Sequence, residues 1–290
     1  MKEFHNNLNS LRTHGKSFYW GSFFLPNQNK LAAAELYSIC RYFDDLADDS
    51  ENDVSEEIKK EYNEIISNDS HEINKFFKKH DINLSILGDL VNGLIKDQAS
   101  VRINTKIELI EYSYKVAGTV GLMMLPIILV DNPNARKHAI DLGIAMQLTN
   151  IARDVYEDAR MDRVYLPKEW VDETSAENLK DINNIRTQNN VKNALKKIIK
   201  LSEIFYKNGF VGLKYIPFKT RLGIYIAAQV YKGIGDKIKN NEYRYNSRRV
   251  FLSHYNKLLI TLISLPKFLL IKYIYKDYSK IRDTFKNENL

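Results

Sequence analysis

Apolar residues along this chain recur at steps of three and four, the spacing that gathers them on one face of an α-helix. The pattern predicts helices over 31–40, 58–66, 82–95, 107–129, 139–156, 191–210 and 222–238. No stretch shows the strict alternation of apolar and polar residues that is typical of a half-buried strand. We therefore predict an all-α fold, in which at least eight helices form one bundle, and a single domain over 1–290.

Turn and cap residues divide the periodic stretches. Ser55, followed by Glu56 and Glu57, is typical of a helix N-terminus, where hydroxyl and carboxylate oxygens accept from free backbone amides. The sequence Asp-Asn-Pro-Asn at 131–134 is a turn signal just before another periodic stretch. The six prolines lie where helices are expected to begin, bend or end, at Pro26, Pro126, Pro133, Pro167, Pro217 and Pro266.

Composition is that of a soluble globular protein, with 44% hydrophobic and 27% charged residues. The single cysteine, Cys40, rules out an intramolecular disulfide and suits a reducing compartment. The first 18 residues contain no apolar run typical of a signal peptide. The most apolar long stretch, 258–275, contains Pro266 and two lysines, which makes it a poor membrane span. These features predict a cytoplasmic protein.

Charge is unevenly distributed along the chain. Residues 44–57 contain eight acids and no base, whereas residues 237–290 contain twelve Lys and Arg against four Asp and Glu. The basic tail accounts for the net charge of +7. A basic, apolar C-terminal segment favours peripheral contact with an anionic membrane surface, at its cytoplasmic face, over nucleic acid. Ordinary helix packing at 258–275 is the alternative.

The first chemical signal is the sequence Arg41-Tyr-Phe-Asp44-Asp45-Leu-Ala-Asp48. Asp44 and Asp48 are four residues apart and share one helix face, with Asp45 beside them. Carboxylates this close repel one another unless solvent or a cation compensates their charge. Oxygen ligands of this kind suit Mg²⁺, which prefers a few carboxylates together with phosphate oxygens and water.

A second cluster lies in 147–158. Asn150, Asp154 and Asp158 follow one another at steps of four and form a stripe of oxygen ligands on a helix whose other residues are mostly apolar. Burial of this stripe without a cation would be costly. Arg153 offers a planar fork that suits a diphosphate oxygen.

The two stripes together predict a catalytic centre. Each stripe alone could be a solvated helix face. Two of them facing each other across a bundle would hold two or three Mg²⁺ ions that bridge a diphosphate. These ions would neutralise the diphosphate as it leaves and promote formation of an allylic carbocation.

Several segments, in order along most of the chain, resemble the squalene/phytoene synthase family, whose members join two prenyl diphosphates head to head. They read HGKSF at 14–18, FLP at 24–26, LYSICRYFDDLAD at 36–48, YSYKVAGTVGLM at 112–123 and QLTNIARDVYEDARMDRVYLP at 147–167. The last two are the most specific. The resemblance implies an isoprenoid synthase-like helical bundle with a central cavity.

The resemblance also implies roles for individual residues. Metal ligands would be Asp44, Asp48, Asn150, Asp154 and Asp158, and Asp44, Asp48, Tyr112, Arg153 and Asp154 would take part in catalysis. Substrate would be bound by His14, Gly15, Lys16, Ser17, Tyr37, Arg41, Gln147, Arg153, Tyr231 and Arg249, with Arg248 as the alternative to Arg249. Residues 159–167 resemble a flap that covers the site, with Asp162 where relatives often have a small or basic residue.

For the reaction, the resemblance implies a cyclopropylcarbinyl diphosphate intermediate that ends in proton loss or reduction. The sequence has no GxGxxG after a strand, so NADPH is not expected, although squalene synthases of the family bind it without that motif. The favoured product is phytoene from two geranylgeranyl diphosphates, ahead of squalene, presqualene diphosphate or dehydrosqualene from two farnesyl diphosphates. The rival interpretations are a terpene cyclase or chain elongase, and an inactive membrane-associated assembly factor.

Gly118 and Gly121 are poor helix formers within the periodic stretch 107–129. Their lack of a side chain would leave room either for a bulky prenyl chain or for close helix packing. The sequence does not choose between these two uses.

Overall fold

The computed structural model describes residues 7–48, 53–98, 101–172, 174–181, 183–245 and 249–270. Within these ranges the chain forms fourteen α-helices. They are α1 Asn7–His14, α2 Lys16–Ser22, α3 Asn27–Asp48, α4 Ser55–Ser67, α5 Glu72–Lys79, α6 Leu84–Ile95, α7 Lys106–Ser113, α8 Thr119–Ile127, α9 Ala135–Arg160, α10 Lys168–Val171, α11 Ala176–Lys180, α12 Ile185–Val211, α13 Phe218–Asn240 and α14 His254–Leu269. Short 3₁₀ turns follow α6 at Lys96–Gln98 and α12 at Gly212–Tyr215. The all-α prediction is confirmed.

Each of the seven predicted stretches falls on one or more of these helices. The stretch 107–129 is interrupted, because α7 and α8 are joined by a π-helical turn at Tyr114–Gly118. Helices α1, α2, α5, α10 and α11 have eight residues or fewer. They span too few turns for their periodicity to stand out in the sequence. Cap residues fix several helix starts, as where Thr105 Oγ1 accepts from the Glu108 amide at the start of α7.

The core has two hydrophobic clusters. The larger one lies around α9, α12 and α13 and contains the fully buried Tyr206 and Tyr225. The smaller one lies among α3, α4, α5, α6 and α8 and contains Phe43 and Phe77. The long helices α3 and α9 thus each bury an apolar face, which fixes the direction in which their acidic stripes project.

The glycines of the 114–127 region serve close helix packing. A Cβ atom on Gly121 would lie 2.2 Å from the carbonyl oxygen of Ala139 on α9. From the other side, a Cβ on Gly143 would lie 2.2 Å from the carbonyl oxygen of Ala117. A backbone carbonyl can approach this closely only where the facing residue has no Cβ. Of the two uses predicted for these glycines, Gly121 serves the close contact with α9.

The segment after α9 is fastened to the segment before α7. Val164 donates its amide to the Val101 carbonyl at 2.9 Å and accepts from the Ile103 amide at 3.4 Å. Arg102 donates to the carbonyl oxygen of Asp162 and pairs with its carboxylate at 2.8 Å. Asp162 has a φ of 56°, in the left-handed region where Asp is tolerated better than most residues. These bonds place the predicted flap over the ends of α3 and α9.

Helix α14 packs across α2 and α13 with an unusual distribution of side chains. Its buried positions are mostly polar, at Lys257, Thr261 and Ser264, together with Phe268. Its outward face is apolar, with exposed residues at Leu258, Leu259, Leu262, Ile263, Leu265 and Leu269. Trp20 on α2 donates its indole N–H to Thr261 Oγ1 at 3.0 Å, which anchors the polar side. Among the described helices, none combines the length and apolarity needed to cross a bilayer.

Candidate active site

Two adjoining cavities lie inside the bundle. One, of about 510 Å³, is mostly apolar, and the other, of about 250 Å³, is lined by most of the predicted acidic ligands. The residues that line both are Asp44, Leu94, Tyr112, Gln147, Asn150, Asp154 and Arg249. We refer to the two as the apolar cavity and the acid cavity. An amphipathic substrate that spans this junction would place its charged head group in the acid cavity and its hydrocarbon chain in the apolar cavity.

The first acidic motif lies at the C-terminal end of α3. Arg41 Nη1 donates to Asp44 Oδ2 at 2.8 Å, and Arg41 Nη2 pairs with Asp45 Oδ1 at 2.6 Å. Asp48 accepts from Arg163 Nη1 at 2.7 Å, across 115 residues of sequence. Enclosure by the cavity walls, and then the charge of Asp48, raise the pKa of Asp44 to about 6. The motif is therefore held by two arginines and still carries unfavourable charge.

The second motif projects from α9 toward the first. Arg153 donates to both oxygens of Asp154, from Nε at 2.8 Å and from Nη2 at 2.6 Å. Arg249 makes a second fork to the same carboxylate. Burial opposes ionisation of Asp154, but the hydrogen bonds and charges of these two arginines hold its pKa below the usual value. The guanidinium groups of Arg153 and Arg249 therefore both bind the Asp154 carboxylate at the junction of the cavities.

The remaining α9 ligands are less well compensated. Burial, and then the charge of Asp154, raise the pKa of Asp158 well above its ordinary value. Asn150 donates to Gln147 Oε1 at 3.3 Å, while its own Oδ1 is buried without a hydrogen-bond partner. Leaving such an acceptor unpaired costs about 1–3 kcal/mol. The uncompensated oxygens of Asn150 and Asp158 mark a place where a cation would be stabilising.

The donor set fits Mg²⁺. The five predicted ligands, Asp44, Asp48, Asn150, Asp154 and Asp158, all offer oxygen and all line the acid cavity. In the described part of the chain, no three His, Cys, Asp or Glu side chains are arranged to hold a metal ion. Asp44, Asp48 and Asp154 are each paired with an arginine instead. Arginine side chains that can swing to a phosphate would leave these oxygens to a metal.

Aromatic residues line the junction on the side of α2. Tyr231 is buried, and its ring centroid lies 4.8 Å from that of Phe18. Phe18 in turn contacts Tyr37, at 6.4 Å between centroids. Both tyrosines line the apolar cavity. Tyr37, Gln147 and Tyr231, which were predicted to bind substrate, thus all lie on the wall of the apolar cavity.

The N-terminal motif is only partly at the site. His14 lines the apolar cavity, whereas Lys16 is exposed and Ser17 is half-buried, and neither lines a cavity. Gly15 is buried, and a Cβ there would lie 2.8 Å from Leu11 Cδ1 and 3.1 Å from the Tyr37 ring. Lys16 and Ser17 lie off the cavities because α2 turns Phe18, Gly21 and Ser22 toward the apolar cavity and leaves Lys16 exposed at its start.

The sequence left two arginines as alternatives for the C-terminal part of the site. Arg249 reaches Asp154 with a bidentate contact. Arg248 lies outside the described residues. The chain thus brings a residue that follows α13 to a carboxylate of α9.

Sequence analysis missed three residues of the acid cavity. Asp97, Arg163 and Tyr165 all line it. Tyr112 Oη donates to Asp97 Oδ2 at 2.7 Å, and the Tyr112 ring stacks on Tyr165 with centroids 4.9 Å apart. Burial raises the pKa of Asp97 to about 7. Arg163 and Tyr165 belong to the segment 159–167 that was predicted to cover the site, whereas the only sequence signal for Asp97 was a single acid two residues after the apolar stretch 82–95.

Known proteins match the chain over most of its length. The family model for squalene/phytoene synthase matches residues 11–256. A phytoene synthase of Thermus thermophilus is 32% identical over 268 residues, covering 90% of each chain. A phytoene synthase of Cereibacter sphaeroides is 30% identical over 267 residues, covering 86% of this chain and 75% of that protein.

Solved structures show the same fold. A dehydrosqualene synthase in complex with a ligand superposes with a TM-score of 0.80 at 26% identity, covering 91% of this chain and 96% of that one. The squalene synthase HpnC from Alicyclobacillus acidocaldarius superposes with a TM-score of 0.71 at 16% identity, covering 83% and 94% of the two chains. The family-model match and the sequence identities show that the chain belongs to the squalene/phytoene synthase family and is a prenyltransferase.

Proposed function

We propose that this prenyltransferase joins two geranylgeranyl diphosphates head to head, through a cyclopropylcarbinyl diphosphate, to form phytoene. One observation carries the proposal, which is the junction of an acid cavity with an apolar cavity of about 510 Å³. The phytoene synthases that match this chain at 30–32% identity support the same product. The enzyme would serve carotenoid biosynthesis.

The metal is the first part of the proposed mechanism. Mg²⁺ would be held by the α3 and α9 oxygens, Asp44 and Asp48 on one side and Asn150, Asp154 and Asp158 on the other. Bound there, it supplies positive charge that favours departure of the diphosphate and formation of an allylic cation.

The cations of the protein would bind the diphosphate itself. Arg41, Arg153 and Arg249 lie at or beside the junction, and each is already close to a carboxylate that Mg²⁺ would take over. Planar guanidinium groups can hold phosphate oxygens in pairs. The same residues would thus bind substrate and balance the charge of the acids before it arrives.

The apolar cavity would hold both prenyl chains and exclude water. Its wall includes Val116, Val120, Met124, Leu142 and Ile224. A carbocation in this space is protected from water, which would otherwise quench it. The double bond of the second substrate is then the nearest nucleophile.

A second candidate is coupling of two farnesyl diphosphates to squalene, presqualene diphosphate or dehydrosqualene. The similarity to a dehydrosqualene synthase structure at 26% identity favours it. Incubation of the purified protein with each diphosphate and Mg²⁺, with and without NADPH, separates these reactions by their lipid products. Phytoene from geranylgeranyl diphosphate without NADPH supports the first proposal, and a product that requires NADPH rejects it.

Contact with an anionic membrane forms a further part of the proposal. The outward face of α14 carries exposed leucines and Lys267, while its polar side faces the protein. A helix that turns polar residues inward and apolar residues outward is stabilised by a non-aqueous neighbour. Residues 271–290, which contain five Lys and Arg against three Asp and Glu, lie outside the described residues. A cytoplasmic protein docked on the inner face of the membrane would release its hydrocarbon into lipid.

Flotation with anionic liposomes tests the membrane contact. Leu262→Asp on the outward face of α14 is expected to reduce the floating fraction at least about five-fold, since a charge on a face that would enter the lipid opposes insertion. Ile66→Asp, at an exposed position on α4, is the matched control and should float like the unmodified protein. Equal flotation of Leu262→Asp and the control argues against this surface.

A further inference from the structure

Asp97 occupies a distinctive position at the edge of the acid cavity. It lies in the 3₁₀ turn that ends α6 and is 7% exposed. Its Oδ2 accepts the hydroxyl proton of Tyr112 at 2.7 Å, whereas its Oδ1 is buried without a partner. Buried carboxylates normally satisfy both oxygens. An acid held in this state suggests a role beyond structure.

The contact with Asp97 determines what Tyr112 can offer to a substrate. Tyr112 lines both cavities, so its oxygen stands where the acidic and the apolar spaces meet. Its only hydroxyl proton is directed at Asp97. The lone pairs of Tyr112 Oη therefore remain for the neighbouring Tyr165 hydroxyl and for the junction, where the tyrosine is an acceptor rather than a donor.

Stacking holds the ring in this orientation. The Tyr112 and Tyr165 planes are inclined by 25°, with centroids 4.9 Å apart. Tyr165 belongs to the segment that the bonds at Val164 fasten to 101–103. The phenol oxygen of Tyr112 is thus fixed by a carboxylate on one side and by a tethered aromatic ring on the other.

We infer that Asp97 is a positioning residue that makes Tyr112 the proton acceptor of the terminating step. This inference rests on the proposed function, in which the final allylic cation loses a proton instead of being reduced. A C–H bond next to the cation breaks, and its electron pair becomes the new carbon–carbon double bond. The proton moves to Tyr112 Oη as the hydroxyl proton of Tyr112 passes to Asp97 Oδ2. Asp97 then returns the proton to water through the acid cavity.

The acidity of Asp97 agrees with this assignment. Burial raises its pKa to about 7, although the hydrogen bond from Tyr112 and the charge of Arg163 oppose the shift. A proton acceptor works best when its pKa lies near the operating pH.

The chain contains a natural control for this pair. Tyr114 in the 114–118 turn donates to Asp89 on α6 at 3.4 Å, close in sequence to Tyr112 on α7 and Asp97 in the following 3₁₀ turn. Asp89 is exposed and lines neither cavity. The pair reproduces an Asp–Tyr contact between neighbouring segments of the chain, with an aspartate that lies outside both cavities.

The experiment compares the intermediate with the final product. The full-length protein is incubated with geranylgeranyl diphosphate and Mg²⁺ without NADPH, and the lipid products are quantified. Asp97→Asn can still accept a hydrogen bond from Tyr112 but cannot take its proton. We expect it to raise the ratio of diverted products to hydrocarbon at least about ten-fold, given the usual size of general-base effects. The diverted products are the cyclopropylcarbinyl diphosphate, re-formed when the cation recaptures diphosphate, and the alcohols formed when water captures the cation. Asp97→Glu should restore much of the normal ratio, and Asp89→Asn should leave it unchanged.

A double substitution shows whether Asp97 acts through Tyr112. Tyr112→Phe should raise the same ratio, and combining it with Asp97→Asn should add little, because the two residues form one unit. Additive effects, an unchanged ratio in Asp97→Asn, or an equal change in Asp89→Asn each overturn the inference. Failure of the proposed function is distinguishable, because the unmodified enzyme would then form no hydrocarbon under these conditions.

Discussion

Arg249 donates two parallel hydrogen bonds to Asp154, from Nε to Oδ1 at 2.7 Å and from Nη2 to Oδ2 at 2.8 Å. The two residues are 95 positions apart in sequence. Their contact joins the segment after α13 to the metal-ligand stripe of α9. Arg153 also donates two hydrogen bonds to this carboxylate, so two guanidinium groups surround the single negative charge of Asp154. The excess suits an incoming diphosphate.

Arg249 is therefore expected to act on substrate binding and turnover rather than on folding. Arg249→Ala should lower kcat/KM about 10- to 100-fold, the range typical of a supporting charge at a metal site. Its side chain is 41% exposed, so the midpoint of thermal unfolding should change little. Steady-state kinetics with diphosphate release as the readout measures the effect.

Arg244→Ala is the control for that substitution. Arg244 is exposed in the same segment and pairs with Glu242 at 3.2 Å. We expect near-normal kinetics for it. Equal kinetic losses in Arg244→Ala and Arg249→Ala would mean that the segment, and not the contact with Asp154, affects activity.

The carboxylates themselves should be indispensable. Asp44→Asn and Asp154→Asn are each expected to lower kcat at least about 100-fold, because each removes an ionised oxygen ligand from the predicted metal site. Helical content by circular dichroism should be retained, since both side chains lie on cavity walls. Asp45→Asn, beside Asp44 but on neither cavity wall, should lose less than about ten-fold. Normal turnover in Asp44→Asn and Asp154→Asn would contradict the metal-cluster mechanism.

Removal of the metal provides an independent test. Treatment with EDTA should abolish turnover, and added Mg²⁺ should restore it. Mg²⁺ with inorganic diphosphate should also raise the midpoint of thermal unfolding, because ligands that bind only the folded state stabilise it. That stabilisation should disappear in Asp154→Asn. Full turnover in EDTA would refute the role of the metal.

Stability should depend on pH through Asp97. The ordinary pKa of an aspartate is 3.8 and folding raises that of Asp97 to about 7, so the folded protein holds this proton more tightly than the unfolded chain. The ionised group therefore lowers the free energy of unfolding above pH 7, and this cost fades as the pH falls toward 4. Asp97→Asn should raise the free energy of unfolding at pH 8 by on the order of 1 kcal/mol or more.

Urea denaturation at pH 8 and pH 5 measures the difference between the variant and the unmodified protein. The gain from Asp97→Asn should be larger at pH 8. A gain of the same size at both pH values would show that Asp97 is not destabilised by ionisation in the folded state.

The sequence predicted the parts of the site that follow from helix spacing. Asp44 with Asp48, and Asn150 with Asp154 and Asp158, are each set on one face by steps of four, and the apolar residues around them fix that face inward. A periodic pattern of this kind determines which side chains share a helix face. It does not determine contacts between distant segments, so the contacts of Arg163 with Asp48 and of Tyr112 with Asp97 could be found only in the structure.

Local detail also escaped the sequence. Lys16 and Ser17 belong to a matching motif, but the orientation of α2 keeps them off both cavity walls. The π-helical turn at Tyr114–Gly118 packs closely on α9, where a Cβ on Gly143 would lie 2.2 Å from the carbonyl oxygen of Ala117. The orientation of a short helix and the position of a π-helical turn depend on the neighbouring helices, which the periodic pattern of one segment does not identify.

The central claim is head-to-head coupling of two geranylgeranyl diphosphates at the junction of the two cavities. The most direct measurement is chromatographic identification of the lipid that the purified protein forms from geranylgeranyl diphosphate and Mg²⁺ in the absence of NADPH. The account predicts phytoene, with two diphosphates released per molecule. Formation of a cyclic terpenoid from one substrate molecule, or of a hydrocarbon only when NADPH is added, would contradict it.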